Sequence, residues 1–113
     1  MKIDKSLLSG STTMLIMKLL ESRDMYGYQM IEELQNRSDD TFTLKAGTLY
    51  PILHGLEQKK MIESYDGPAE SLRTRKYYHL TQAGFRHLRE KQAEWRHYAS
   101  AVSKVLGGGQ YAM

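Results

Sequence analysis

Apolar and polar positions repeat along the chain with spacings that change from one stretch to the next, and each spacing predicts an element. In residues 5–22, Leu7, Leu8, Met14, Leu15, Ile16, Met17, Leu19 and Leu20 recur at helical spacing on more than one side. Such a helix must be covered on two faces. Gly10 interrupts it at a cost of about 1 kcal/mol relative to alanine and leaves room for a close neighbour. After a short connection at residues 23–25, a second helix is expected from residue 26 or 27 to 37. Gly27, Met30, Ile31 and Leu34 lie on one side of it and Glu32, Glu33 and Gln35 on the other. The polar run 36–41 ends that helix, and Phe42 with Leu44 is expected to pair as a brief strand. A third helix is expected over residues 46–60, where Leu49, Ile52, Leu53, Leu56 and Lys60 share one stripe. Pro51 falls in its first turns, where a missing N–H costs least.

At Met61 the spacing changes. Residues 61–65 alternate, Asp66-Gly67-Pro68 is a turn signature, and residues 72–80 read as a returning, tyrosine-rich strand. Thr81 then offers an N-cap for a helix beginning at Gln82. In that helix Phe85, Leu88, Gln92, Trp95, Ala99, Val102 and Leu106 step by 3, 4, 3, 4, 3 and 4, a heptad seam. A seam on a helix of about 25 residues exceeds what the rest of the fold covers and implies packing against a second subunit. Those seven residues are the expected dimer interface, joined by Leu8 from the N-terminal helix. Gly107-Gly108-Gly109 stops the helix and the residues after it read as a loose tail. The fold class expected is mainly α with a small β-hairpin (α+β). It comprises a winged helix-turn-helix over residues 1–80, a long dimerisation helix over 81–106 and a flexible tail over 107–113.

Composition narrows the classes. The 113 residues are 41% hydrophobic and 26% charged, ordinary globular usage that argues against wholesale disorder. The chain has no cysteine, which excludes disulfides, thiolate metal sites and a cysteine nucleophile. No signal-peptide pattern and no membrane-length apolar run are present, so a cytoplasmic location is expected, without membrane partners. The net charge of +3 is unevenly spread. Residues 1–40 hold five basic and seven acidic side chains, residues 41–80 six and four, and residues 81–113 five and two. A basic second half beside an acidic remainder suits a polyanion such as double-stranded DNA.

The third helix carries the candidate chemistry. If Leu49, Leu53 and Leu56 turn inward, Gly47, Thr48, Tyr50, Pro51 and His54 face outward near its start, with Lys45 just before it. These residues are small or hydrogen-bonding and include no carboxylate, as befits a helix that enters the major groove between phosphates. The hairpin adds Arg73, Arg75 and Lys76, which can clamp phosphates or reach into the minor groove. An enzyme is not expected. The histidines His54, His79, His87 and His97 are dispersed without ligand spacing, no metal or cofactor is implied, and no P-loop, dinucleotide or nucleophile motif is present. The competing class is a winged-helix module that binds protein and not specific DNA.

The chain also carries Met25-Tyr26-Gly27-Tyr28, Gly47-Thr48-Leu49-Tyr50-Pro51-Ile52-Leu53, Leu56-Glu57, and Arg73-Thr74-Arg75-Lys76-Tyr77-Tyr78-His79-Leu80-Thr81-Gln82-Ala83-Gly84. In these it resembles the PadR family of transcriptional regulators, from about Leu7 to the end of the last helix. The resemblance implies a winged-helix repressor that dimerises through its last helix, associates with the nucleoid when bound, and releases DNA on sensing a small molecule or stress. It places Tyr28, Thr48, Tyr50 and Pro51 at the DNA and Arg73, Arg75 and Lys76 in the wing. Of Tyr77 and Tyr78, at least one is expected in the core.

A single terminal helix looks like the compact branch of that family, some members of which bind flat aromatic drugs in a pore at the dimer centre. The resemblance sets Trp95 at such a pore, with Ala99 and the first-helix positions Leu7, Gly10, Thr13 and Met14. Gln92 and Ala99 fill space poorly beside an aromatic plate, as a binding gap requires. Ala99 stands where a carboxylate would hold a cationic ligand. Plain interface packing is the other role open to Trp95.

Overall fold

The computed structural model describes residues 3–67 and 74–108. Its elements are α1 (Lys5–Leu8), α2 (Thr12–Ser22), β1 (Met25–Tyr26), α3 (Gly27–Arg37), α4 (Ala46–Gln58), β2 (Ile62–Asp66), β3 (Lys76–Leu80) and α5 (Gln82–Val105). The expected wing residue Arg73, the first part of the expected returning strand and the tail after Gly108 lie outside the described residues.

The expected first helix is two helices. Ser11 Oγ and Thr12 Oγ1 donate to the Leu8 carbonyl at 3.3 and 2.8 Å, offering it partners other than the helical ladder. The chain turns between α1 and α2. A β-carbon added at Gly10 would meet nothing within 4 Å, so the described residues of this chain supply no close neighbour there. α2 then buries Ile16, Met17, Leu19 and Leu20, covered on two sides by α3 and α5.

α4 buries Leu49, Leu53 and Leu56, the inward stripe read from the sequence. Each fully buried leucine contributes about 1.5–3 kcal/mol of apolar transfer. Lys60 does not belong to that stripe, because α4 ends at Gln58 and Lys60 takes a left-handed conformation, φ 60°. The Lys60 N–H donates to the Glu57 carbonyl at 2.9 Å and the Met61 N–H to the Leu56 carbonyl at 2.9 Å. That pair of bonds is a Schellman stop built without glycine.

The sheet has three antiparallel strands in the order β1-β3-β2. Its third member is Met25–Tyr26, read from the sequence as the end of a connection and the start of a helix, and not Phe42 with Leu44. Phe42 and Leu44 instead pack, half-buried, against the core. In register, Ile62 pairs with Leu80 and Ser64 with Tyr78, while Glu63 pairs with His79 and Tyr65 with Tyr77. Ile62, Tyr78 and Leu80 are buried on the inner face, and so Tyr78 is the core tyrosine.

Thr81 caps α5, its Oγ1 accepting from the Gly84 N–H at 3.1 Å and donating to the Lys60 and Met61 carbonyls at 2.8 and 3.0 Å. At the far end Gly107, φ 94°, closes a second Schellman stop with Gly108 donating to Ser103. The 24 residues of α5 run about 36 Å at 1.5 Å per residue. Leu88, in its first half, is fully buried within its own chain.

Candidate nucleic-acid interface

The inward stripe of α4 decides what its other side shows. Lys45, Thr48, Tyr50, Pro51 and His54 are all exposed, Tyr50 to 40%. Lys45 stands at the N-cap in extended conformation without a side-chain cap, and the first turn holds no acidic residue. A helix start of that kind offers positive potential to an anion such as a phosphate. Tyr28, on the first turn of α3, is 72% exposed.

The segment Tyr26-Gly27-Tyr28 ties these parts together. Tyr50 of α4 lies on Gly27, whose absent side chain makes the space. On the other side, the Arg75 guanidinium stacks over the Tyr26 ring at 4.4 Å. Tyr26 meets Tyr77 edge-on at 5.4 Å, and Tyr77 stacks on Tyr65 at 5.8 Å. Cation–π and aromatic contacts of this kind restrain an arginine without neutralising it. Lys76, next along β3, is exposed. Tyr26 was not among the site residues read from the sequence. Its role comes from pairing with Tyr77, far along the chain, for which nothing local gives a sign.

A second network sits at the α2–β1 joint. Asp24 Oδ2 accepts from the Tyr65 hydroxyl at 2.6 Å, and Asp24 Oδ1 lies 2.8 Å from His79 Nδ1. Burial pushes the Asp24 carboxyl up, but the bonds from Tyr65 and His79 and the charge of the imidazole outweigh it, leaving the carboxyl below its ordinary range. The same bond to Asp24, followed by burial, pushes the Tyr65 phenol up.

Along α5 the seam divides. Leu88 is spent on its own chain's core and is withdrawn from the expected dimer interface, because a side chain with no exposed surface has none to offer a partner. Phe85, Trp95, Val102 and Leu106 are exposed, accompanied by Tyr98 and Val105, which the heptad reading passed over. Leu8, Gln92 and Ala99 are half-buried. Trp95 lines an open cleft between α2 and α5 with Met14, Leu15, Lys18, Gln92 and Arg96. Of the positions expected to hold a ligand, Met14 and Trp95 meet there. Leu7, Gly10, Thr13 and Ala99 are not part of its lining. No helix among the described residues is long and apolar enough to cross a membrane, and none of their side chains group as a metal site.

Helices α2, α3 and α4 with the wing of β2 and β3, one face of α4 left open, define a winged helix-turn-helix of the kind that DNA-binding regulators use. The model of the transcriptional regulator PadR-like family matches residues 16–90. A PadR family transcriptional regulator from Eggerthella lenta is 32% identical, with a TM-score of 0.81 over 92% of this chain and 88% of that one. A PadR family transcription regulator from Clostridium difficile is 38% identical, with a TM-score of 0.73 over 86% and 99%. An uncharacterized protein from Lysinibacillus sphaericus is 31% identical over 94% of this chain and 97% of its own length. The chain belongs to the PadR-like family of transcriptional regulators.

Proposed function

We propose that this chain is a homodimeric transcriptional repressor that binds a palindromic operator through α4 and the wing, in the cytoplasm. One observation carries the reading: α4 buries Leu49, Leu53 and Leu56 while leaving Thr48, Tyr50, Pro51 and His54 exposed behind Lys45. Residues that accept or donate hydrogen bonds at a helix start read base edges, and lysine and arginine at the margins hold the backbone. Arg75 and Lys76 are the wing's backbone contacts in this reading. Tyr28, beside the Tyr50–Gly27 contact, extends the same surface.

The second copy covers the apolar side of α5, where Phe85, Trp95, Val102 and Leu106 remain exposed among the described residues. Two α4 helices related by a dyad enter grooves on one side of the duplex, so half-sites stand about one helical turn apart or a multiple of it. Selection of bound duplexes from a random pool tests this. Recovered sequences with twofold symmetry support the reading, and an unenriched pool refutes it.

The cleft at Trp95 supports an effector site for a planar aromatic molecule, completed by the partner's α5. Such a ligand regulates only if it binds the DNA-competent and incompetent dimers unequally. Quenching of Trp95 fluorescence by planar aromatics, together with loss of their binding in Trp95→Ala, is the expected result. Undiminished binding by that variant would leave Trp95 as interface packing alone.

A further inference from the structure

Three residues distant in sequence converge at the root of the wing. Asp24 lies between α2 and β1, Tyr65 on β2 and His79 on β3. The register puts Glu63, Tyr65, Tyr77 and His79 on one face of the sheet, and each oxygen of the Asp24 carboxylate takes one strand, Tyr65 at 2.6 Å and His79 at 2.8 Å. The carboxylate is therefore a bridge across β2 and β3, anchored on the end of the helix that packs against α5.

From that bridge an unbroken line of contacts reaches Arg75 of the wing. Tyr65 stacks on Tyr77, Tyr77 meets Tyr26, and Tyr26 carries the Arg75 guanidinium. Fixing Tyr65 fixes the first ring of that line.

We propose that Asp24 is a positioning residue for DNA binding: it latches both wing strands to the α2–β1 joint and so presents Arg75 and Lys76 in one orientation. The inference rests on the DNA-binding reading above and adds a residue that touches no DNA. Charge-assisted hydrogen bonds are the stronger kind, so one carboxylate holding two strands suits the task. Asparagine can replace both bonds without the charge, since its carbonyl accepts from Tyr65 and its amide donates to a neutral Nδ1. Alanine can replace neither.

The test compares Asp24→Ala, Asp24→Asn and Tyr65→Phe, each alone and combined with Arg75→Ala and Lys76→Ala, on a duplex recovered by selection and on an unrelated one. Asp24→Ala should weaken binding to both duplexes about tenfold and lower the salt slope, and Asp24→Asn should recover most of the loss. In the background lacking Arg75 and Lys76 the alanine at position 24 should cost nothing further, because it acts through them. The same loss in both backgrounds, or wild-type affinity for Asp24→Ala, overturns the proposal. Amide hydrogen exchange on the DNA-free protein separates this from the underlying reading. Faster exchange along β3 in Asp24→Ala supports the latch even if the unmodified protein binds no duplex, whereas unchanged exchange removes it.

Discussion

Tyr50 rests its hydroxyl end on Gly27, so closely that a β-carbon there would stand 3.0 Å from the ring's Cζ. The contact joins the start of α3 to the exposed face of α4. Because what it would meet is the far end of a side chain and not backbone, Gly27→Ala is accommodated by swinging Tyr50 away. Melting should therefore move little, while duplex affinity falls about fivefold and sequence preference changes, as for a lost base contact. Unaltered affinity and preference would show that the position of Tyr50 is immaterial to binding.

Gly84 gives the opposite case. A β-carbon there would collide with the Met61 carbonyl and stand 2.7 Å from Leu80 Cδ1, and backbone cannot step aside as a tyrosine does. Gly84→Ala is expected to cost about 1–3 kcal/mol in urea denaturation, the range for overpacking. A neutral result would mean that α5 is not seated on the α4–β2 turn as tightly as the geometry has it.

Lys60 holds a left-handed conformation that costs an L-residue roughly 1–2 kcal/mol and costs glycine almost nothing. Lys60→Gly should raise stability by about 1 kcal/mol at the same denaturant dependence. Lower stability in this variant would contradict the Schellman geometry at the end of α4.

Asp24 predicts a pH dependence. Its folded-state carboxyl is depressed by the bonds from Tyr65 and His79 against the pull of burial. Folding then favours the deprotonated form, so the contribution is full above the unfolded value near pH 4 and fades as pH falls through the lower folded one. Wild type should be more stable than Asp24→Asn at neutral pH, and the gap should close below about pH 4. A gap that persists in acid would assign it to packing and not to the charge.

The sequence made some of this legible and hid the rest for physical reasons. Leu49, Leu53 and Leu56 announce the inner face of α4 because helical spacing is a local signal, and Thr81 and Gly107 mark both ends of α5 for the same reason. Met25 and Tyr26 gave no strand signal, since a two-residue strand exists only through its partners Tyr77 and Tyr78. Phe42 and Leu44 mimicked one by alternating, yet their apolar side chains are half-buried against the core without strand pairing. Lys60 extended α4 on paper because its stop is made by backbone bonds and not by a glycine. The exposed face of α4 followed directly from its buried stripe. The aromatic line from Tyr65 to Arg75 and the bridge at Asp24 did not, because they join residues up to 55 positions apart.

If the exposed α4 residues and the wing engage a charged duplex, affinity for a selected duplex must depend on salt. Log K should fall linearly with log salt, with a slope that drops by about 1 for each of Arg75→Ala and Lys76→Ala. Replacing Tyr50 or His54 by alanine should change sequence preference while leaving folding stability nearly intact. Absence of duplex binding at low salt, or an affinity indifferent to salt, would mean that α4 and the wing do not engage duplex DNA.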